Sequence, residues 1–379
     1  MAAILNVRAT VRRYRLPPAF ADELIKLFDE HVTEIHSRTR VSRSVLSVKT
    51  QERRATALCK AFVELRKGGF ALQGPWSLKE KHIRWLVERW VAQGQSGGTI
   101  ENKLTYLRAM AHWLGKKNLV GTIGDYVDRK EHGLERSYIA TEDKSWAAHG
   151  ISASEKIAEI AKTCAHVAVQ LKLQAAFGLR REESFLFRPL EAVRNPDRLR
   201  ITRGTKGGRE RDVPLDAKFA ILEEAARLSN GFTGSTIPES YTLVQWVDRY
   251  KTVLKKHGVT KKGLGVTGHG LRHQYLQELY ESVTGTAAPI KGSGSRPEPG
   301  LHEEAMKRVV EAAGHSRVTK ANAYLSTFAL QERISRHRPT GEEIGRALEE
   351  AGGNKSHAAS ALGISRQALY RALGASKAQ

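Results

Sequence analysis

Cysteine is scarce in this chain: its 379 residues hold two, Cys59 and Cys164, far apart and outside any CxxC pairing. Neither a disulfide framework nor a cysteine zinc site is therefore expected, and a reducing cytoplasm fits that usage. Long hydrophobic runs are lacking too. No stretch of about 18 apolar residues occurs and no signal-peptide pattern follows Met1, so a soluble protein rather than a membrane-spanning one is expected. The usual anchors of ATP-driven and hydrolytic chemistry are missing, since there is no GxxxxGK[ST] phosphate loop, no HExxH zinc motif and no GxSxG nucleophile elbow. There is no internal repeat at solenoid spacing. Acidic residues are in deficit: 40 Asp and Glu stand against 62 Lys and Arg, a formal net charge of +22. Such a field draws polyanions, nucleic-acid phosphates first among them.

What is present is mainly helical, with room for several domains. Residues 1–45 form a basic N-terminal segment, rich in arginine in VRATVRRYR and HSRTRVSRSV, around a possible helix from Ala19 to Thr33. Residues 46–117 carry three helical patterns: Ala55, Leu58, Phe62 and Leu65; Ile83, Leu86, Val87 and Trp90; then Ile100, Leu104, Leu107, Ala111 and Leu114. Their polar positions include Arg53, Arg54, Lys60, Arg84, Arg89, Lys103 and Arg108, which either line a DNA backbone or keep the helices solvated. Of these, Arg53, Arg54, Lys103 and Arg108 are the candidate DNA contacts. Residues 118–150 show no sustained period and read as a linker. A second domain spans 151–335. Within it RLRITRGTKGGRERDVPL alternates and turns at TKGG, which predicts a small β-hairpin among helices. The Gly, Pro and Ser of residues 285–300 predict a loop.

Six polar residues of that domain could do chemistry. Arg180, in FGLRREES, lies at a predicted helix start favoured by Glu182 and Glu183. Lys206 occupies the TKGG turn, where an ammonium projects outward. HGLRH places His269 and Arg272 three apart on a helix, able to address one phosphate from one face. The same spacing brings His273 near His269, but a zinc site there lacks a third ligand and the HExxH glutamate. AAGHSRVTKANAYL puts His315 after a helix-ending Gly314 and Tyr324 nine positions on, upon a following helix. Each has an ordinary reading as a surface charge, an exposed turn, a cap or a core ring.

Taken in order the set resembles the tyrosine recombinase, or phage integrase, family, whose catalytic domain carries GLR with an acid three residues on, a hairpin lysine, HxLRH, then GH and a tyrosine. GLRREE, TKGG, HGLRH and GHSRVTKANAY supply these elements over residues 178–324. The resemblance implies a tyrosine-recombinase catalytic domain preceded by a helical, SAM-like core-binding domain at residues 46–117. Two features depart from the family pattern: the insertion between His273 and Leu301, and Ala313 where a leucine often precedes the GH.

A phosphodiester resists attack because its oxygens are anionic, so preorganised cations are the main requirement. Arg180 and Arg272 fit that role, since guanidinium forks hold non-bridging oxygens bidentately. The resemblance further implies that Tyr324 becomes a 3′-phosphotyrosine, that Lys206 protonates the departing 5′ oxygen, and that His269 and His315 assist at the tyrosine or phosphate. It implies no cofactor and no metal, double-stranded DNA as partner, and a homotetramer on two duplexes in a bacterial cytoplasm. A type IB topoisomerase sharing the chemistry and a DNA-binding regulator built on a degenerate recombinase are the alternatives. Every catalytic position is occupied, which speaks against the second of these.

Residues 340–379 read as a helix followed by two short helices about Gly363. The GN-x-x-x-AA-x-x-LGIS-R-x-x-L-x-R pattern resembles the Fis-type helix-turn-helix. Ala358, Ala359, Leu362, Ile364, Leu369 and Leu373 would pack it and expose Ser365, Arg366, Gln367 and Arg371 to DNA. A helical pair for protein contact is the plainer reading.

Overall fold

The computed structural model describes residues 5–36, 45–194, 199–205, 208–213, 219–292, 295–335 and 339–362, with Ile364, Leu369 and Leu373. Among them the chain is mainly helical with one two-stranded sheet, and it divides into two compact units, 1–137 and 138–379.

The first unit contains α1 (Val7–Arg12), α2 (Pro18–His31), α3 (Val48–Lys67), α4 (Glu80–Ala92) and α5 (Gly97–Trp113). Apolar residues recur every three or four positions, as in Phe20, Leu24 and Phe28 of α2, or Leu58, Phe62 and Leu65 of α3. These stripes close on one core. Two expected boundaries move. Residues 1–45, expected as a separate basic segment, supply two helices to that core through Val7, Val11, Phe20, Leu24 and Phe28; arginines fill the polar face of α1 and mask its apolar one. The expected 118–150 linker is divided. Val120, Ile123, Tyr126 and Leu134 complete the first core while Trp146 is wholly buried in the second unit. Single side chains anchor this stretch, so no period betrays it.

The four candidate DNA contacts in this unit differ in kind. Arg53 is exposed. Arg54 is 5% exposed and donates to the carbonyls of Val32 at 3.3 Å and Glu34 at 2.9 Å, with its guanidinium 5.4 Å from the Trp113 ring. The expectation that Arg54 contacts DNA is therefore corrected: its stem lies on the buried face of α3, and its donors close the end of α2. Arg108 is largely committed as well, donating to Gly121 O at 2.6 Å and to Glu101 at 2.7 Å. Lys103 holds its ammonium 4.1 Å from the Trp90 ring centroid.

The second unit contains α6 (Ala153–Ala161), α7 (Ala165–Phe177), α8 (Arg181–Leu186), α9 (Pro189–Val193), β1 (Leu199–Ile201), β2 (Arg211–Val213), α10 (Phe219–Arg227), α11 (Leu243–Lys256), α12 (Gly268–Thr284), α13 (Pro299–Ala312), α14 (Asn322–Leu325) and α15 (Phe328–Ser335). Helix α7 is buried around most of its circumference, from Val167 to Phe177, as befits a helix packed by α6, α8, α10 and α12. It contributes to both apolar clusters of the unit. Gly178 ends it with φ +59, and a Cβ there would stand 2.3 Å from Tyr275 of α12. Only glycine accepts both that backbone and that approach. The strands pair antiparallel, with Leu199 opposite Val213 and Ile201 opposite Arg211. All four of these face the interior, and the turn passes against the backbone of Glu182 and Glu183 at Gly204. In the expected loop at 285–300 the described residues include a 3-10 turn at Pro289–Lys291 before α13 begins.

At the C-terminal end, α16 (Gly341–Glu350) starts with a capping box, Thr340 and Glu343, and is followed by α17 (Lys355–Ala361). Ala358, Ala359 and Leu369, with Leu362, Ile364 and Leu373 against them, form a small core as expected from the pattern, and Ile344 and Ala347 of α16 join it.

The contrast between adjacent arginines of α3 generates a prediction. Arg54→Met should cost about 1–3 kcal/mol of stability in denaturant unfolding and leave the salt dependence of DNA binding unchanged. Arg53→Ala should leave the unfolding midpoint in place. A shallower salt slope for Arg54→Met at unchanged stability would show that its charge faces DNA after all.

Candidate active site

The site is built around a carboxylate. Arg180 is the N-cap of α8 and Glu183 its third residue, so helix geometry alone returns the Glu183 side chain to the Arg180 backbone N–H, which donates to Oε2 at 2.6 Å. Arg180 Nη1 donates to Oε1 at 2.6 Å. From β2, Arg211 donates through both terminal nitrogens, at 2.8 Å to Oε1 and 2.6 Å to Oε2. Arg272 Nη1 lies 4.0 Å from Oε2. Burial would raise the Glu183 pKa; hydrogen bonding and charge from Arg211, then the charge of Arg180, pull it down to about 2.

Two main-chain carbonyls hold the arginines that face inward. Ala313 O accepts from Arg180 Nη2 at 2.6 Å and from Arg272 Nη2 at 2.7 Å, and Gly178 O accepts from Arg272 Nη1. Ala313 caps the C-terminus of α13, where the helix dipole favours cations. Gly314 follows with φ +62, and a Cβ on it would crowd Arg211 Cδ at 3.3 Å and Arg180 Nη1 at 3.4 Å. The turn is closed by Gly314 N–H to Glu311 O and His315 N–H to Val310 O, at 2.8 and 2.9 Å, a Schellman pattern that brings His315 round to the site.

Tyr324 sits on α14, the following helix expected, which is four residues long, and is 7% exposed. Its hydroxyl lies 3.3 Å from His315 Nε2. Its ring stands 5.6 Å from the Arg272 guanidinium and 4.9 Å from the His273 ring. Arg272 is wholly buried beneath it, with Nε unpartnered. Two residues on, Ser326 is buried with φ +65 and ψ −161, a region that nearly excludes side chains. Its hydroxyl accepts from Gln331 of α15 at 2.9 Å. His269 and His273, one turn apart on α12, have rings 5.1 Å apart. Loss of hydration, then the charges of Arg272, Arg180 and Lys144, lower the His269 pKa to about 4. The His269 ring nevertheless keeps contact with solvent.

Of the six residues expected to do chemistry, the structure thus brings five together: Arg180, His269, Arg272, His315 and Tyr324. Lys206 lies outside the described residues, as do Ser365, Arg366, Gln367 and Arg371 of the tail. One participant escaped the reading by motif. Glu183 appeared as a helix-start acid and as the acid three residues after GLR, without the contacts it makes, and Arg211 did not appear. The signal for Arg211 is strand alternation, since Val213 points inward and so must residue 211. Among the described residues no group of three or more His, Cys, Asp or Glu is arranged to hold a metal ion, and no helix is long and apolar enough to cross a membrane.

Comparison with known proteins gives three family matches in chain order: phage integrase, N-terminal, over residues 39–120; integrase over 144–278; and bacterial regulatory protein, Fis family, over 341–375. The integrase match includes Arg180, Lys206, His269 and Arg272 and stops before His315 and Tyr324. No curated protein matches the chain. Among solved structures, the chain is similar to the Tn1549 transposon integrase in complex with transposon right end DNA, at 14% identity over 83% of this chain and 99% of that one, TM-score 0.49. It is also similar to the XerH site-specific recombinase bound to palindromic difH substrate, at 14% identity over 92% and 93%, TM-score 0.46. A third likeness is to XerA recombinase, at 15% identity over 84% and 99%, TM-score 0.31.

Buried His273 generates a pH prediction. Burial, then the charges of His269, Lys144 and Arg272, lower its pKa to about 3, whereas an unfolded histidine titrates near about 6.5. Between those values the unfolded chain binds the extra proton, so stability should fall as pH drops below about 6.5, by at most about 1.4 kcal/mol per unit from this group. Thermal unfolding from pH 7 to 4 should show a shallower decline for His273→Gln than for the native chain. Parallel declines would remove His273 as the cause.

Proposed function

As a member of the tyrosine recombinase family, the chain is a site-specific DNA recombinase, and we propose that it cuts and rejoins DNA through Tyr324 with Arg180 and Arg272 as its phosphate-binding groups. The observation that carries this reading is the charge balance of the buried cluster. Arg180, Arg211 and Arg272 outnumber Glu183, a net charge of 3 − 1 = +2, beside a tyrosine hydroxyl. A scissile phosphate is the anion such a balance suits, and it would give the orphaned Nε of Arg272 an acceptor.

The phenol oxygen attacks phosphorus, the bond to the 5′ oxygen breaks, and a 3′-phosphotyrosine forms. The phenol proton leaves towards a histidine: His315 is nearest, at 3.3 Å, and His269, with its lowered pKa, is neutral at pH 7 and able to accept. Lys206 gives a proton to the departing 5′ oxygen, a role that rests on the family resemblance. Attack by a 5′ hydroxyl of the partner duplex then reverses each step, so the bond energy is kept in the linkage and no nucleotide is consumed. Since the Tyr324 ring covers the Arg272 guanidinium, entry of the phosphate and movement of the ring are one event.

In this reading residues 46–117 clamp the duplex, residues 151–335 carry the chemistry, and 340–379 bind DNA beside the crossover through Ser365, Arg366, Gln367 and Arg371, as the match to the Fis family suggests. Four copies act on two duplexes, in a bacterial cytoplasm; both statements follow from resemblance.

Tyr324→Phe keeps the ring over Arg272 and should fold and bind DNA normally, yet form no covalent adduct with a nicked suicide duplex carrying the cleavage site. Arg272→Lys should slow adduct formation on the order of 10²-fold or more. Adduct formation by Tyr324→Phe would sink the assignment of the nucleophile. Relaxation of any supercoiled plasmid without joined products would favour a topoisomerase.

A further inference from the structure

Arg211 takes part in no step above, yet it is the most fully engaged side chain of the cluster. It is 8% exposed, stands opposite Ile201 on β2, and directs both terminal nitrogens to Glu183 at 2.8 and 2.6 Å. Its Nε is buried without a partner, and both of its terminal nitrogens are taken up by Glu183. Glu183 in turn holds the backbone and side chain of Arg180, each at 2.6 Å, with Arg272 at 4.0 Å.

Charge and geometry give the pair a purpose. A fork-to-fork contact lets Arg211 and Glu183 neutralise one another almost completely. Arg180 and Arg272 then keep two uncompensated positive charges, and their remaining anchors are the neutral carbonyls of Ala313 and Gly178. With Arg211 removed, Glu183 would remain as a buried anion with Arg180 on Oε1 at 2.6 Å and Arg272 at 4.0 Å. Its whole negative charge would then fall on those two guanidiniums and cancel part of the charge offered to phosphate.

We propose that Arg211 is a positioning residue of the recombination reaction, neutralising and orienting Glu183 so that Arg180 and Arg272 stay free for the scissile phosphate. This rests on the reading of those two arginines as phosphate ligands. It makes Glu183 harmful to catalysis once Arg211 is gone, which a simple structural role for the pair does not.

The test compares two nicked suicide duplexes carrying the cleavage site, one with the natural phosphodiester and one with a methylphosphonate at the scissile position, where a methyl group replaces a charged oxygen. A neutral phosphorus centre needs little cationic compensation. In single-turnover assays on the full chain at saturating protein, Arg211→Gln should slow adduct formation on the phosphodiester on the order of 10²-fold, and on the methylphosphonate by less than about tenfold. Adding Glu183→Gln should restore part of the phosphodiester rate. Arg211→Lys, which keeps the charge and loses the fork, should lie between, and it carries the comparison if the glutamine variant does not fold. Equal losses on both duplexes, with no recovery in the double variant, would overturn the proposal and leave Arg211 a packing residue. Arg272→Ala separates the two layers: if methylphosphonate does not relieve it, the phosphate-ligand reading fails; if it is relieved while Arg211→Gln is not, only the present inference fails.

Discussion

Burial alone would make the Glu183 carboxyl a weaker acid than usual, yet its pKa is brought down to about 2, because Arg211 and then Arg180 surround it. The arginines of the active centre stand around that ionised group. It fixes the first turn of α8 and ties β2 to that helix. A buried ion pair is a poor source of net stability, since desolvation offsets most of the attraction. Its value here is geometric: once the charges are out of water, few arrangements satisfy all of them, and the chain is confined to one.

The cluster gathers segments distant in sequence: residues 178–183, 211, 269–273, 313–315 and 324. What brings them together is apolar. Helix α7 packs against α8 and α12, and α12 against α13, so the ends of these helices meet at one place and their caps carry the polar groups. Cap chemistry thus does double duty. The glutamate that closes the first turn of α8 and the glycine that ends α13 are ordinary terminators, and they also define where the guanidiniums stand.

The grouping of Arg180, His269, Arg272, His315 and Tyr324 was legible in the sequence through the order of its motifs and their resemblance to a family, since each stands in a short local pattern, a helix start, a helix face or a glycine stop, that taken alone has an ordinary reading. Arg211 was not legible as a motif, because its only local signature is one inward position on a three-residue strand. Arg54 misled for a related reason. Beside Arg53 it looks like a second surface cation, and only the close of α2 against α3 reveals two carbonyls awaiting donors. The N-terminal helices were hidden by composition, since arginine at nearly every polar position of α1 reads as a charged tail until Val7 and Val11 are seen against the core. The short helix under Tyr324 reflects Ser326, whose backbone breaks the helical path two residues later, at a position where the residue type gives no warning.

Two of the anchors at the centre of the site belong to no side chain. The carbonyls of Gly178 and Ala313 receive the arginines, and a carbonyl is present whichever residue stands there. Ala313, in a place where leucine is common in the family, therefore alters nothing that the guanidiniums feel, because position 313 is asked only for its oxygen. That oxygen is aimed by the left-handed glycine that follows. For relatives of this chain, arginine anchoring should accordingly be sought in the retention of glycine at 178 and 314, and comparisons scored on side-chain identity at 313 will pass over a contact that is chemically invariant.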